Sequence, residues 1–296
     1  MKFENIQVSN FQGALRGMRN PKNSWDKSDS VFGLINLNYG DDELYDVAAS
    51  WALADGCQFG TEEFDEVEEG YENWLVNNGT LIYDNNNDIA QIAYIGPNDM
   101  RLAKALITAG PEHRKFMRQI FVSVDITAPL YWWNEFDTYK VGTVANSTSK
   151  MHKILSKPIT LDCFEIDDLH LMEYPEEFQR EDLRYPIDKD FVQTALIPYL
   201  EFLRKRTVLL MQNNPEESKK YWKELIRWLP EAWLQKRTVT MNYENLLAIC
   251  SKSQRRFHKL TEWSGYGPTF ETPSFIKFAK SLPYAADFLF LDDDRA

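Results

Sequence analysis

Cysteine is scarce. The three present, Cys57, Cys163 and Cys250, are odd in number and far apart, and they form no CxxC pair or metal-ligand spacing. A disulfide framework is not expected, and a reduced, cytoplasmic setting is the simple expectation. Positive charge is also in deficit: 33 Lys and Arg stand against 45 Asp and Glu, for a net charge of -12. A phosphate backbone needs a broad basic face, so general nucleic-acid binding is argued against. A small, locally basic pocket for one or two phosphates is not. No apolar run approaches the length of a membrane span, and the opening MKFENIQVSNFQG holds no signal-type core, so no membrane partner is expected. The GxSxG, P-loop, HExxH and GxGxxG fingerprints are all missing. The four histidines, His113, His152, His170 and His258, have no ligand spacing, and no metal is expected.

What the chain has is apolar and aromatic mass. Hydrophobic residues make up 44% and aromatics 14%, enough for a sizeable core and against global disorder. The most informative stretch runs from Gly110 to Lys153. It opens with His113-Arg114-Lys115 and Arg118, and passes through the alternating Phe121-Val122-Ser123-Val124-Asp125-Ile126, a strand pattern that Ala128-Pro129 ends. An aromatic segment, Leu130 to Tyr139, follows, and then a polar run from Thr143. Trp132, Trp133 and Phe136 have two readings, as core mass or as a face for a flat ligand. The hydroxyls of Thr143, Ser147 and Ser149 likewise read as turn and cap groups or as phosphate contacts.

Upstream, Phe3 to Val8 reads as a strand. GALRGMRNPKNSWDKSDS reads as a basic loop carrying Arg16, Arg19, Lys22 and Lys27, either an anion contact or a solvated loop. Residues 31–97 form an acidic insertion or accessory layer. Within it, Leu44, Val47, Trp51 and Leu53 are expected to face a core from one helix, and Phe64, Val67, Tyr71, Trp74 and Leu75 from a second. Two short strands flank the turn DNNND, which lacks the glycine and distal glutamate of a calcium loop. Asn98 reads as the cap of a helix that ends at Gly110. Further on, long helices are expected over Phe191–Gln212 and Pro215–Leu229, Asn242 caps another, and a terminal helix lies around Pro273–Leu282. Three basic clusters stand out: His113-Arg114-Lys115, Lys150-Met151-His152-Lys153 and Arg255-Arg256-Phe257-His258. Cationic clusters in an acidic chain point to a pocket where positive charge holds an anion.

In this order the features resemble the flavin-dependent thymidylate synthases. The resemblance rests on the glycine-terminated helix, the turn PEHRKF, the strand and step FVSVDITAP, and the later segment LPEAWLQKRTVTMNYENLLAICSKSQRRFHKLTEW. It spans roughly residues 98–155 and 228–265. Where the family signature has Arg-His-Arg, this chain has Thr138-Tyr139-Lys140. Thr143 stands at the first serine, Ala145-Asn146 at the Asn-Glu pair, Thr148 at the second serine and Lys150-Met151 at Arg-Tyr.

The resemblance implies an α+β fold, a mixed or antiparallel sheet packed with long helices, as one domain over residues 1–296. It implies reductive one-carbon transfer to C5 of dUMP or a related pyrimidine nucleotide, with FAD as cofactor, NADPH and methylenetetrahydrofolate as co-substrates, and a homotetramer. His113, Lys115, Arg118, Thr138, Tyr139 and Lys140 fall to the flavin. Thr143, Asn146, Ser147, Ser149, Lys150 and His258 fall to the nucleotide, and Arg255 or Arg256 is the catalytic group at the pyrimidine edge. The alternative is a non-catalytic descendant that keeps the scaffold for nucleotide binding or protein contact.

Overall fold

The structure, a computed structural model, describes residues 1–36, 48–49, 51–53, 55–78, 80–83, 89–139, 141–149, 153–166, 191–251, 258–265 and 273–291. Among these the strands are Lys2–Ser9 (β1), Val31–Asn36 (β2), Thr80–Tyr83 (β3), Ile89–Tyr94 (β4), Phe121–Pro129 (β5), Val144–Ser147 (β6) and Leu234–Asn242 (β7). The principal helices are Phe11–Arg19 (α1), Glu62–Asn78 (α2), Pro97–Ala109 (α3), Leu130–Phe136 (α4), Ile197–Leu210 (α5), Pro215–Arg227 (α6) and Tyr243–Ile249 (α7). Short helical turns follow at Thr261–Ser264, Phe275–Lys280 and Ala285–Phe288. The mixture of helix and antiparallel sheet is the fold class the sequence leads one to expect.

The alternating segment is the strand expected. Val122, Val124, Ile126 and Ala128 of β5 are fully buried, and Ser123, Asp125 and Thr127 between them are half-buried. The strand continues through Ala128-Pro129, and α4 starts at the next residue. One sheet has the order β1-β5-β7-β6 and a second the order β2-β4-β3. In the second, β4 pairs antiparallel on both edges, with Val31 opposite Tyr94 and Leu81 opposite Ile92.

By contacts the chain divides into two units. The first holds Met1 with residues 126–138 and 146–237. Its core gathers Ile154, Ile159, Phe164, Leu200, Leu203 and Leu225, much of it from the α5–α6 pair. Trp132 and Trp133 are fully buried and Phe136 nearly so, and the Trp133 indole donates to the Gln235 carbonyl at 2.9 Å. These aromatics are therefore core, and burial of ring area accounts for their density. Pro198 enters α5 in its first turn, behind a π-helical turn over Val192–Leu196, so the long expected helix is divided there.

The second unit holds residues 2–125, 139–145 and 238–296. Phe11, Tyr243 and Phe288 pack edge-to-face or tilted at its centre. The supposed basic loop after β1 is in fact helical. α1 buries Phe11, Ala14, Leu15 and Met18 on one face, a stripe that Gly13 and Gly17 disguise in the sequence. Leu53 is exposed rather than core, while Ala48, Ala49 and Ala52 are buried in its place. Leu44, Val47 and the DNNND turn lie outside the described residues.

Candidate functional site

The second unit contains a cavity of about 1020 Å³, at the top of the size range of small-molecule sites. Three segments build it. The first is the end of α1 and the turns after it, which bring Met18, Arg19, Lys22, Ser24 and Lys27. The second is one face of α3, where Asn98, Arg101, Leu102, Ala105 and Leu106 follow the three-and-four spacing that puts residues on one side of a helix. The third is the turn after α3, which brings Glu112, His113, Lys115 and Phe116. Two basic stretches distant in sequence thus meet around one space. Lys115 pairs with Glu112 at 3.8 Å and Arg19 with Asp99 at 2.6 Å. Lys22, Lys27 and Arg101 carry their charge there without an acidic partner among the described residues. Met18, Leu102, Leu106 and Phe116 supply apolar wall.

A buried node holds this frame. Asp29 accepts from the backbone N–H groups of Asn98 and Asp99 at 2.8 and 3.0 Å, satisfying free donors of the first turn of α3. The cap of this helix is therefore Asp29, not Asn98, and it is supplied from a segment remote in sequence. Asp99, fully buried, then accepts from Arg19 Nε, Ser28 Oγ and Ser30 Oγ, each at 2.6 Å. Burial would raise the Asp99 carboxyl. The hydrogen bonds from Ser28, Ser30 and Arg19, with the Arg19 charge, outweigh that and hold it below the usual carboxylate range. Arg19 also donates to the Ser24 carbonyl at 3.3 Å, and its buried Nη2 has no hydrogen-bond partner among the described residues.

The expected site residues fall in several places. His113 and Lys115 line the cavity. Arg114, between them, is structural: its Nε holds both Glu244 carboxylate oxygens, at 3.0 and 2.8 Å, and Nη1 donates to the Ile107 carbonyl near the end of α3. Arg118 lies on the surface and donates to the Pro111 carbonyl. Tyr139 and His258 both lie on Trp263, with His258 parallel to the indole at 4.5 Å and Tyr139 at 5.3 Å. His258 Nδ1 accepts from the Leu260 N–H. The Thr143 hydroxyl donates to the Tyr139 carbonyl at 3.5 Å, in a loop that Asn245 pins by donating to the Val141 carbonyl at 2.7 Å.

In the first unit, the Thr138 hydroxyl donates to the Glu135 carbonyl, Asn146 and Ser147 are exposed on β6, and Ser149 is half-buried. Lys140, Lys150, Arg255 and Arg256 lie outside the described residues. Arg101 is a cavity residue that the sequence did not mark. Its signal was the helical register it shares with Asn98, Leu102 and Ala105. Among the described residues, no group of His, Cys, Asp and Glu is placed to hold a metal ion, and no helix is long and apolar enough to cross a membrane.

No family model matches the sequence, and no curated protein does. Among solved structures the chain is similar to the flavin-dependent thymidylate synthase ThyX from Helicobacter pylori complexed with FAD and dUMP. One such structure is 16% identical, covers 67% of this chain and 84% of that one, and has a TM-score of 0.41. Another is 14% identical over 99% of this chain and 98% of that one, with a TM-score of 0.48.

Proposed function

We propose that this chain binds a phosphorylated nucleotide in the cationic cavity, and that its activity is reductive one-carbon transfer to C5 of dUMP or a related pyrimidine nucleotide. The observation that carries the binding is the meeting of Lys22, Lys27, Arg101, His113 and Lys115 around one space with an apolar wall. The chemical assignment comes from the sequence resemblance. The lining suits a flavin nucleotide: the cations match a pyrophosphate, and Met18, Leu106 and Phe116 match a ring. His113, Lys115, Lys22 and Lys27 would hold such a group, and bound flavin would supply the reducing equivalents. The protein's own work is then orientation. The lysines would hold the phosphate as point charges, Leu102 and Leu106 of the α3 stripe would supply apolar contact to a ring, and water would be displaced from that wall.

A second reading is a binding protein without turnover. It is favoured by the positions that replace the family signature, because Thr138 is engaged with its own helix and Tyr139 with Trp263. Calorimetric titration with FAD and with dUMP tests the proposal, alongside the colour of the purified protein. Lys27→Ala and Lys115→Ala should each weaken binding about twofold to fivefold, on the scale of one exposed ion pair. Wild-type affinity in both variants removes the cavity assignment. Tight binding without consumption of dUMP, in the presence of methylenetetrahydrofolate and a reductant, selects the second reading.

A further inference from the structure

A second cavity, of about 630 Å³, lies in the same unit. It is lined by the segment Ser28–Val31, by Trp51, by Val67, Gly70, Tyr71 and Trp74 of α2, and by Tyr94 at the end of β4. Four of these are aromatic, and they form a continuous series of edge contacts. Trp51 meets Tyr71 at 5.2 Å and 82°, and meets Trp74 at 6.0 Å and 63°; Trp74 meets Tyr94 at 4.4 Å and 76°. A slot for a flat ring needs two parallel faces. Here each neighbouring pair is steeply inclined, so the rings form walls at an angle to one another, the geometry that surrounds a rounded cation with negative ring faces.

Charge points the same way. Among the described residues of the lining, Asp29 is the only Asp, Glu, Lys, Arg or His, so the described wall holds one negative charge and no positive one. Two backbone N–H groups of α3 already bond the Asp29 carboxylate and temper its charge. The rings therefore carry the contact, and Asp29 sets its sign. Tyr71 donates its hydroxyl to Asp55, which adds a second carboxylate beside the cage. That hydrogen bond, with burial and the Asp55 charge, raises the Tyr71 hydroxyl above its ordinary value, so the ring stays neutral. The wall is also open where it matters: among the described residues, a Cβ built on Gly70 meets nothing within 4 Å.

We propose that this aromatic cavity is a binding site for a small organic cation of the quaternary ammonium class, held over the faces of Trp51, Tyr71 and Trp74 and matched in sign by Asp29. The site is separate from the nucleotide cavity and does not rest on the function proposed for it.

The test titrates the full chain with choline, followed by tryptophan fluorescence and calorimetry. The control is 3,3-dimethylbutan-1-ol, which has the same shape without the charge. Saturable choline binding, at least about tenfold tighter than the alcohol, is the expected result. Equal affinity for the two would mean a plain apolar cleft and would overturn the proposal, as would no saturation by choline. Trp74→Ala should weaken choline about tenfold, and Trp74→Phe should recover part of the loss. Gly70→Leu should abolish binding by filling the space, with helix content and melting temperature retained, because leucine is the better helix former. Unchanged choline affinity in a folded Gly70→Leu protein places the site elsewhere and ends the proposal.

Discussion

At the scale of single residues, Asp99 does the most for the cationic cavity. It is fully buried, and the positions of Arg19, Ser28 and Ser30 all depend on its two oxygens. Asp99→Asn would leave the Arg19 charge buried without its counter-ion, and about 3–5 kcal/mol of stability should be lost, read from urea denaturation. The pH dependence has a definite sign. The folded carboxyl titrates below its unfolded value, so its contribution is complete above the unfolded value and is lost as pH falls through the folded one. The acid limb of the stability profile should therefore be shallower in Asp99→Asn than in the natural protein. None of this could be read in the sequence. Asp99 looks like an ordinary acid in the first turn of a helix, and its partner is 80 residues away.

At the scale of elements, the close packing of the 24–30 segment on α3 decides the cavity's shape. A Cβ at Gly96 would run into Asp29, backbone and carboxylate both. Gly96→Ala should therefore displace the cap of α3, cost about 1–3 kcal/mol, and weaken phosphate binding as Ser24 and Lys27 shift; paired denaturation and titration measure both. Asn242 offers a simpler case. Its side chain and that of Asn245 cap α7 reciprocally at 2.9 and 3.1 Å, so Asn242→Ala should cost about 1 kcal/mol by denaturation. That cap was legible, as were β1, β5, α2 and the helix ending at Gly110, because each shows its own period or punctuation. β7 was not. Val239 and Met241 alternate, but Gln235 is the buried residue ahead of them, and Lys236-Arg237-Thr238 breaks the apolar pattern. Arg237 is accommodated by stacking 4.2 Å over Trp133 and pairing with Asp137 at 3.0 Å, neither of which a local pattern shows. α1 was hidden by its glycines for a related reason: its stability comes from the Phe11, Leu15 and Met18 face rather than from propensity.

At the scale of the whole molecule, a net charge of -12 surrounds a cavity whose named cations sit largely at the exposed rim. Exposed charges are screened over about 8–10 Å at ordinary ionic strength. The affinity for FAD should fall several-fold as salt is raised from roughly 0.05 to 0.5 M, measured by titration, and salt-independent binding would point to a buried or apolar contact instead. The sequence disclosed the basic runs but not their meeting, since convergence of Lys27 with Lys115 belongs to tertiary packing alone.

The segment Ser28–Ser30 borders the aromatic cavity and, through Asp99 and Arg19, also anchors a wall of the cationic one. Any coupling carried by this one short piece of chain is reciprocal: the factor by which choline changes the affinity for FAD must equal the factor by which FAD changes the affinity for choline.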